Sequence, residues 1–261
     1  MHFTQLTYEL DGPLAVIGLN RPAKRNAICD TMIGELQAAV LRAGREARVG
    51  ILHGYGDHFS AGLDLAEQLE RTPVEGIANS RLWHRVFDDI ERGAIPFVAA
   101  LHGGVIGGGL ELAAAAHIRV ADASAFFALP EGQRGMFVGG GGSVRIARLM
   151  SATRMMDMML TGRTMPAAEA ERLNLVHYLV AEGQALDQAT RLAHRIANNA
   201  PPSNYAITNA LSRIQDLCHD DGVFFEALMA AVTQTSGEAQ DRLKDFLEKR
   251  AGRVGPPVNR D

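Results

Sequence analysis

The chain has 261 residues, of which 47% are hydrophobic and 21% are charged, and its formal net charge is −4. This composition is typical of a globular protein with one sizeable core, and it offers no basic surface for nucleic acid. The N-terminus lacks a signal-peptide pattern, no apolar run approaches the roughly 20 residues of a membrane span, and the two cysteines form no disulfide framework. The sequence therefore predicts a soluble, cytoplasmic protein that binds neither nucleic acid nor membrane.

Residues 1–200 alternate between patterns typical of strands, loops and helices. An alternating stretch and an apolar run on either side of Asp11-Gly12-Pro13 predict a hairpin over residues 3–20. Asp30 or Thr31 can cap a helix that runs to about residue 45. Further along, the patterns predict strands at residues 49–54, 95–103 and 118–129, and helices at 74–92, 110–116, 143–150 and 153–160.

From Pro201 onward, the pattern is helical throughout. Residues 203–217, 222–235 and 238–250 each carry apolar side chains at helical spacing. The sequence therefore predicts an α/β domain over residues 1–200 and a helical region over residues 201–261.

Glycine-rich segments occur at residues 102–112, "HGGVIGGGLEL", and at 138–142, "VGGGG". Neither fits G-x-G-x-x-G or the P-loop pattern, and "HFSAG" around Ser60 lacks the first glycine of a nucleophile elbow. Bare backbone at a helix start can instead bring N–H groups close to a ligand oxygen. Two such amides, one from Gly107–Gly109 and one from "FSAGLD", would form an oxyanion hole. The alternative is that these glycines only permit tight turns and close packing.

Two glutamates accompany these segments. Glu111 lies in an otherwise apolar helix, where a carboxylate must be paired, hydrogen-bonded or functional. The alternative is a surface residue that interacts with the helix dipole. Glu131 follows after 131 − 111 = 20 residues, enough for the chain to return to the same cleft. Two carboxyl groups in one cleft could share acid and base roles on a substrate activated by the oxyanion hole.

At these residues the sequence resembles the crotonase (enoyl-CoA hydratase/isomerase) superfamily. The resemblance covers nearly the whole chain, through "LNRPAKRNAI", "FSAGLDL", "HGGVIGGGLELAAAAHIRVAD", "FALPEGQRGMFVGGGGSVRIARLM" and "MMLTGRTMPAAEAERLNLVHYLV" in order. It implies a spiral of ββα units followed by a helical C-terminal region that builds a homotrimer or, from two trimers, a homohexamer.

The resemblance also implies roles for particular residues. The amides of Ala61 and Gly108 would form the oxyanion hole for a thioester carbonyl, Glu111 and Glu131 would be the catalytic pair, and the amide of Gly139 would help to hold the reacting water. Residues expected to bind the acyl-CoA substrate are Ala23, Lys24, Arg25, Ser60, Asp64 and Lys249, although Asp64 also suits a helix cap. No metal or redox cofactor is implied, and coenzyme A enters only as part of the substrate.

The expected reaction is addition of water across the C2=C3 bond of a short-chain 2-enoyl-CoA. The segment "ALPEGQRGMFVGGGGSVR" departs from the commoner Gly-Ala-Gly-Gly pattern and is more similar to the branch of methylthioacryloyl-CoA hydratases. Thioester hydrolysis and double-bond isomerisation on the same scaffold are alternatives, as is a non-catalytic protein that binds coenzyme A.

Overall fold

The computed structural model describes residues 2–67, 71–248 and 250. The chain divides into two compact units, residues 1–198 and 199–261. Among the described residues, no helix is long and apolar enough to cross a membrane.

The first unit contains all nine described strands and seven of the ten described α-helices. The strands are β1 (Leu6–Asp11), β2 (Leu14–Leu19), β3 (Val49–Gly54), β4 (Phe97–Leu101), β5 (Gly104–Ile106), β6 (Ile118–Asp122), β7 (Phe126–Ala128), β8 (Thr164–Pro166) and β9 (Tyr178–Val180). The helices are α1 (Asp30–Glu46), α2 (Pro73–Glu91), α3 (Gly108–Ala115), α4 (Gly142–Met150), α5 (Ala152–Thr161), α6 (Ala167–Arg172) and α7 (Ala185–Ala197).

A six-stranded sheet organises this unit, in the order β1-β2-β3-β4-β6-β9. The first two strands form the predicted hairpin, with Leu10 opposite Ala15, and the remaining pairs are parallel. Parallel pairing requires crossover connections, which the intervening helices and loops supply.

Strand β4 shows how the sheet is buried on both faces. Phe97, Ala99 and Leu101 pack into the larger core with α1 and α2, whereas Val98 and Ala100 face a second core under α7. Successive side chains of a strand point to opposite faces, so a strand covered on both sides must be apolar throughout. This explains the uninterrupted apolar run that identified the strand in the sequence.

A smaller sheet contains β5, β7 and β8, and β5 lies within the glycine-rich segment at residues 102–112. Strand β5 pairs in parallel with β7, which pairs antiparallel with β8. Strand β5 was not predicted from the sequence, and residues 118–129, predicted as one strand, form two. In the structure Asp122 accepts hydrogen bonds from the amide and hydroxyl of Ser124, and this turn separates β6 and β7 into different sheets.

The second unit contains α8 (Pro201–Ile214), α9 (His219–Gln234) and α10 (Gly237–Leu247), which begin one to three residues earlier than predicted. Helix α8 starts with proline in its first turn, and Ser236 caps α10 by accepting from the amide of Ala239. These helices leave many large apolar side chains exposed: Tyr205, Ile207, Leu211, Phe224, Val232, Leu243, Phe246 and Leu247.

Candidate active site

The loop that follows β3 lies alongside β5, and this pairing builds the centre of the site. The amide of Ser60 donates to the carbonyl of Gly104 at 3.1 Å, and the amide of Ile106 donates to the carbonyl of Ser60 at 3.0 Å. Gly62 has a φ of +84°, and a Cβ at this position would lie 2.5 Å from the Ile106 oxygen and 2.9 Å from the Gly108 nitrogen. Only glycine allows so close an approach in this conformation, so the two predicted oxyanion loops do lie together.

The amides of Leu63 and Gly108 are the free donors at this junction. Within the described residues neither has a hydrogen-bond acceptor, and the Leu63 nitrogen lies 3.4 Å from the position that a Cβ on Gly108 would take. Gly108 is the first residue of α3, where an N–H has no acceptor in its own helix and the dipole favours negative charge.

The prediction that Ala61 supplies one oxyanion donor is wrong. Its amide already donates to the carbonyl of Arg25 at 2.8 Å, so it is not available to a ligand. The sequence "FSAGLD" does not show which of its amides is used by the backbone, so the free amide of Leu63 was not predicted.

Glu111 is buried in α3, with 3% of its surface exposed. One carboxylate oxygen, Oε1, accepts hydrogen bonds from the amides of Gly140 and Gly142, both at 2.8 Å. Burial raises the pKa of Glu111, and the amides of Gly142, Gly140 and Gly139 oppose that rise, as does the charge of Arg145. The glutamate is therefore hydrogen-bonded within the protein and is not a surface partner of the helix dipole.

Glu131 precedes a 3₁₀ turn at Gly132–Arg134 and is also buried, with 8% of its surface exposed. Its Oε1 atom lies 2.8 Å from the position of a Cβ on Gly107, beside the start of α3. Its Oε2 atom has no hydrogen-bond partner among the described residues. Burial, supported by the nearby charge of Glu111, raises the pKa of Glu131 to about 7.

A cavity of about 750 Å³ joins the two glutamates to the two free amides. Its apolar wall consists of Ala61, Leu63, Leu65, Pro73, Trp83, Met136, Phe137 and Val138. Ligand cavities are commonly of this size, and are mostly apolar with a few convergent polar groups. Trp83 packs edge to face on the fully buried Phe87, so only the tryptophan reaches the cavity.

Gly139 lies in the same cavity wall, in the segment before α4. Its amide is near enough to Glu111 to lower the pKa of that carboxyl, and its carbonyl accepts from the Ser80 hydroxyl at 2.6 Å. Gly139 is therefore next to Glu111.

Two residues predicted to bind substrate have structural contacts instead. Ser60 is fully buried; its hydroxyl donates to the Asn26 carbonyl at 2.7 Å and accepts from the Gly62 amide at 3.1 Å. Asp64 forms an ion pair with Arg21 at 2.6 Å, which lowers its pKa. Neither lines the cavity among its described wall residues. Both side chains shape the loop, and their assignment to substrate binding is corrected.

The remaining residues that were predicted to bind substrate either lie at the surface or are outside the residues that the structure describes. Ala23, Lys24 and Arg25 are exposed on and just after a 3₁₀ turn. Lys249 lies outside the described residues.

The arrangement can bind a carbonyl oxygen and move protons near it. Two amides without acceptors can hold growing negative charge, and two buried carboxyl groups with different surroundings can occupy opposite protonation states. Across the described residues, no group of three His, Cys, Asp or Glu side chains is placed to hold a metal ion.

Comparison with known proteins agrees with this geometry. A sequence model of the enoyl-CoA hydratase/isomerase family matches residues 9–254. The chain is 30% identical to a short-chain-enoyl-CoA hydratase of Clostridium acetobutylicum, over 96% of this chain and 97% of that protein.

Solved structures show the same fold. A crystal structure from Rhodopseudomonas palustris, provisionally named an enoyl-CoA hydratase, is 50% identical with a TM-score of 0.91, covering 94% of this chain and 95% of that one. An enoyl-CoA hydratase structure from Bacillus anthracis is 27% identical with a TM-score of 0.89, covering 94% and 97%. The predicted crotonase-like α/β fold with a helical C-terminal region is therefore confirmed. The chain belongs to the enoyl-CoA hydratase/isomerase family.

Proposed function

We propose that this chain adds water across the C2=C3 bond of a short-chain 2-enoyl-CoA thioester. The observation that carries the proposal is the single cavity that holds two buried glutamates with different surroundings beside two free amides. The name of the Clostridium relative, a short-chain-enoyl-CoA hydratase, supports the same reaction and substrate class. A protein that only binds coenzyme A would have no use for two buried carboxyl groups.

The proposed roles of the glutamates follow from their hydrogen bonds. Glu111 accepts from two backbone amides, which favour its ionised form, and it would remove a proton from the attacking water. Glu131 has a free carboxyl oxygen and a pKa of about 7, so a large fraction is protonated at neutral pH and can supply a proton. Gly139 would help to hold the water.

The proposed reaction accounts for every atom of the added water. Its oxygen forms a bond to C3 and keeps one proton as the hydroxyl group, its other proton passes to Glu111, and Glu131 delivers a proton to C2. During attack the C2=C3 electrons move toward the thioester oxygen, where the amides of Leu63 and Gly108 stabilise the charge. Removing one such donor typically costs about 2.7–4 kcal/mol of transition-state stabilisation. Proton exchange between the glutamates and water restores the starting state.

The proposed acyl group is short, and 3-methylthioacryloyl-CoA is the proposed substituted substrate. Trp83, Met136 and Phe137 line the cavity, and a thioether sulfur makes favourable contacts with aromatic edges. Lys24 and Arg25 would attract the phosphates of coenzyme A because both are exposed cations.

The reaction is tested with crotonyl-CoA and methylthioacryloyl-CoA, using wild type, Glu111→Ala and Glu131→Ala. Loss of enoyl-thioester absorbance without free thiol, abolished in both variants, is the expected result. Release of thiol would identify thioester hydrolysis, and an inactive wild type or fully active variants would refute the proposal. Greater activity on methylthioacryloyl-CoA than on crotonyl-CoA would support a methylthioacryloyl-CoA hydratase.

We also propose that the chain assembles as a homotrimer or homohexamer. The three C-terminal helices expose many large apolar side chains, which are costly to leave in water and are typical of interaction surfaces. Sedimentation equilibrium should give three or six times the 28.1 kDa chain mass. A monomer at micromolar concentration would contradict this proposal.

A further inference from the structure

The segment that holds Glu111 is itself held by side chains of α2 and α4. The amides of Gly140 and Gly142 bind the Glu111 carboxylate, so the position of that carboxylate depends on the peptide groups of residues 139–142. Gly141, in the middle, has a left-handed φ of +93°. Four consecutive glycines have high conformational freedom, and their order must come from contacts made by other residues.

Arg145 supplies the first of these contacts. Its Nη1 group donates to the carbonyl of Gly140 at 3.1 Å, and its Nε donates to Glu91 on α2 at 2.7 Å. Its Nη2 group forms an ion pair with Asp88, also on α2. The side chain is 8% exposed, so the planar guanidinium is fixed on three sides and holds the Gly140 peptide in one orientation.

Ser80 supplies the second contact, one residue earlier in the segment. Its hydroxyl donates to the Gly139 carbonyl at 2.6 Å and lies 3.4 Å from the Nε2 atom of His84. Two successive carbonyl groups, those of Gly139 and Gly140, are therefore bound by side chains. Fixing a carbonyl also fixes the amide of the next residue in the same planar peptide. The amide of Gly140, which binds Glu111, is fixed in this way by Ser80.

We propose that Arg145 and Ser80 are positioning residues for Glu111, and that they act by holding the glycine segment whose amides bind its carboxylate. This inference rests on the proposed function and extends it to Ser80, which lines the cavity, and to Arg145, which is not among the described wall residues. Helix α2 would therefore help to position Glu111, because α2 carries Ser80 and both carboxylates that bind Arg145.

The charged and titratable groups around Glu111 determine how the proposal is tested. They are Glu131 beside the start of α3, Arg145 on α4, and His84, Asp88 and Glu91 on α2. Strand β5 carries none, since its residues are glycine, valine and isoleucine. Arg145→Lys keeps the positive charge but loses the forked geometry, so its effect reports the position of the segment and not a change in net charge.

The variants are Arg145→Lys, Ser80→Ala and Ser80→Thr, with Arg163→Lys as the matched control. Arg163 also forms ion pairs with two carboxylates, Asp157 and Glu169, but it is more exposed than Arg145, and its side-chain hydrogen bonds go to those carboxylates and not to residues 139–142. Thermal unfolding of each variant shows whether it folds.

We expect kcat to fall about ten-fold in Arg145→Lys and in Ser80→Ala, with KM within about two-fold of wild type. Ser80→Thr should recover most of the loss because it keeps the hydroxyl.

The decisive readout is the protonation of Glu111. Weaker amide bonds to its carboxylate raise its pKa, so the acidic limb of the kcat–pH profile should move to higher pH in Arg145→Lys and Ser80→Ala. The same shift should appear without substrate, as pH-dependent infrared absorption of the carboxyl group assigned with Glu111→Gln. Arg163→Lys should change neither.

Two results would overturn the positioning role. One is folded Arg145→Lys and Ser80→Ala proteins in which Glu111 titrates as in wild type; the other is a loss of activity equal to that of Arg163→Lys. If the wild type fails to hydrate enoyl-CoA, the proposed function is wrong. The infrared titration of Glu111 needs no substrate, so it still tests whether Arg145 and Ser80 position this residue.

Discussion

Replacing Glu131 by glutamine should stabilise the folded chain at neutral and alkaline pH while it abolishes water addition. Burial raises the pKa of Glu131 to about 7 from the ordinary value of 4.5. Between these values the unfolded chain has released the proton and the folded chain retains it, so wild type loses stability as pH rises. The difference between the two pKa values, 7 − 4.5 = 2.5, corresponds to about 3 kcal/mol in the free energy of unfolding.

The change in stability should depend on pH in a defined way. Glutamine has nearly the same shape and does not ionise, so the variant avoids the cost of placing a charge at this buried site. Its free energy of unfolding should exceed that of wild type by up to about 3 kcal/mol above pH 7. The advantage should shrink as pH falls and disappear near pH 4.5, where both folded and unfolded chains are protonated.

Urea unfolding followed by circular dichroism measures this difference, at equal protein concentration and at several pH values from about 5 to about 8. Glu9→Gln, which changes an exposed glutamate on β1, is the control for the loss of one carboxyl group at the surface. A difference between Glu131→Gln and wild type that is independent of pH would refute the assignment of a raised pKa to Glu131. A variant that is active in hydration would refute its role as proton donor.

Three further substitutions test other parts of the site. Gly108→Ala would place a methyl group 2.6 Å from the ring of Trp83 and move the donor amide, so steady-state kinetics should show kcat lower by about 10²–10³ in a folded protein; wild-type kcat would contradict the oxyanion assignment. Ser60→Ala should lower the free energy of unfolding in urea by about 1–3 kcal/mol, since it leaves two buried backbone groups without partners. Its KM should remain near that of wild type, and a raised KM with unchanged stability would restore Ser60 to substrate binding. Lys24→Ser should raise KM for the coenzyme A thioester, less so at high salt, and leave KM for the pantetheine thioester unchanged; equal effects on both would remove Lys24 from phosphate binding.

Features that depend on local pattern could be predicted from the sequence. The apolar β4, the hairpin of β1 and β2, and the helix that carries Glu111 each show their periodicity or propensity directly. The buried setting of Glu111 also follows from its neighbours, because α3 is buried at every residue. The sign of its pKa shift could not be predicted, since burial and the helix start act in opposite directions and only the structure shows that burial dominates.

Features that depend on backbone pairing between distant segments could not be predicted. Ala61 and Leu63 are equally plausible donors in "FSAGLD", and they differ only because the carbonyl of Arg25, 36 residues earlier, accepts from Ala61. Ser60 is polar and lies beside the site, but the Asn26 carbonyl and the Gly62 amide use its hydroxyl. Strand β5 has three residues, too short for a periodic signal, and it exists because β7 pairs with it.

Hydration by the two glutamates is tested most directly by the structure of the product formed from crotonyl-CoA in heavy water, determined by proton NMR. We expect 3-hydroxybutyryl-CoA with the oxygen on C3 and one solvent deuterium on C2, because water supplies the hydroxyl and a glutamate supplies the C2 proton. A product with a shifted double bond, free crotonate with free thiol, or unchanged crotonyl-CoA would contradict hydration by the two glutamates.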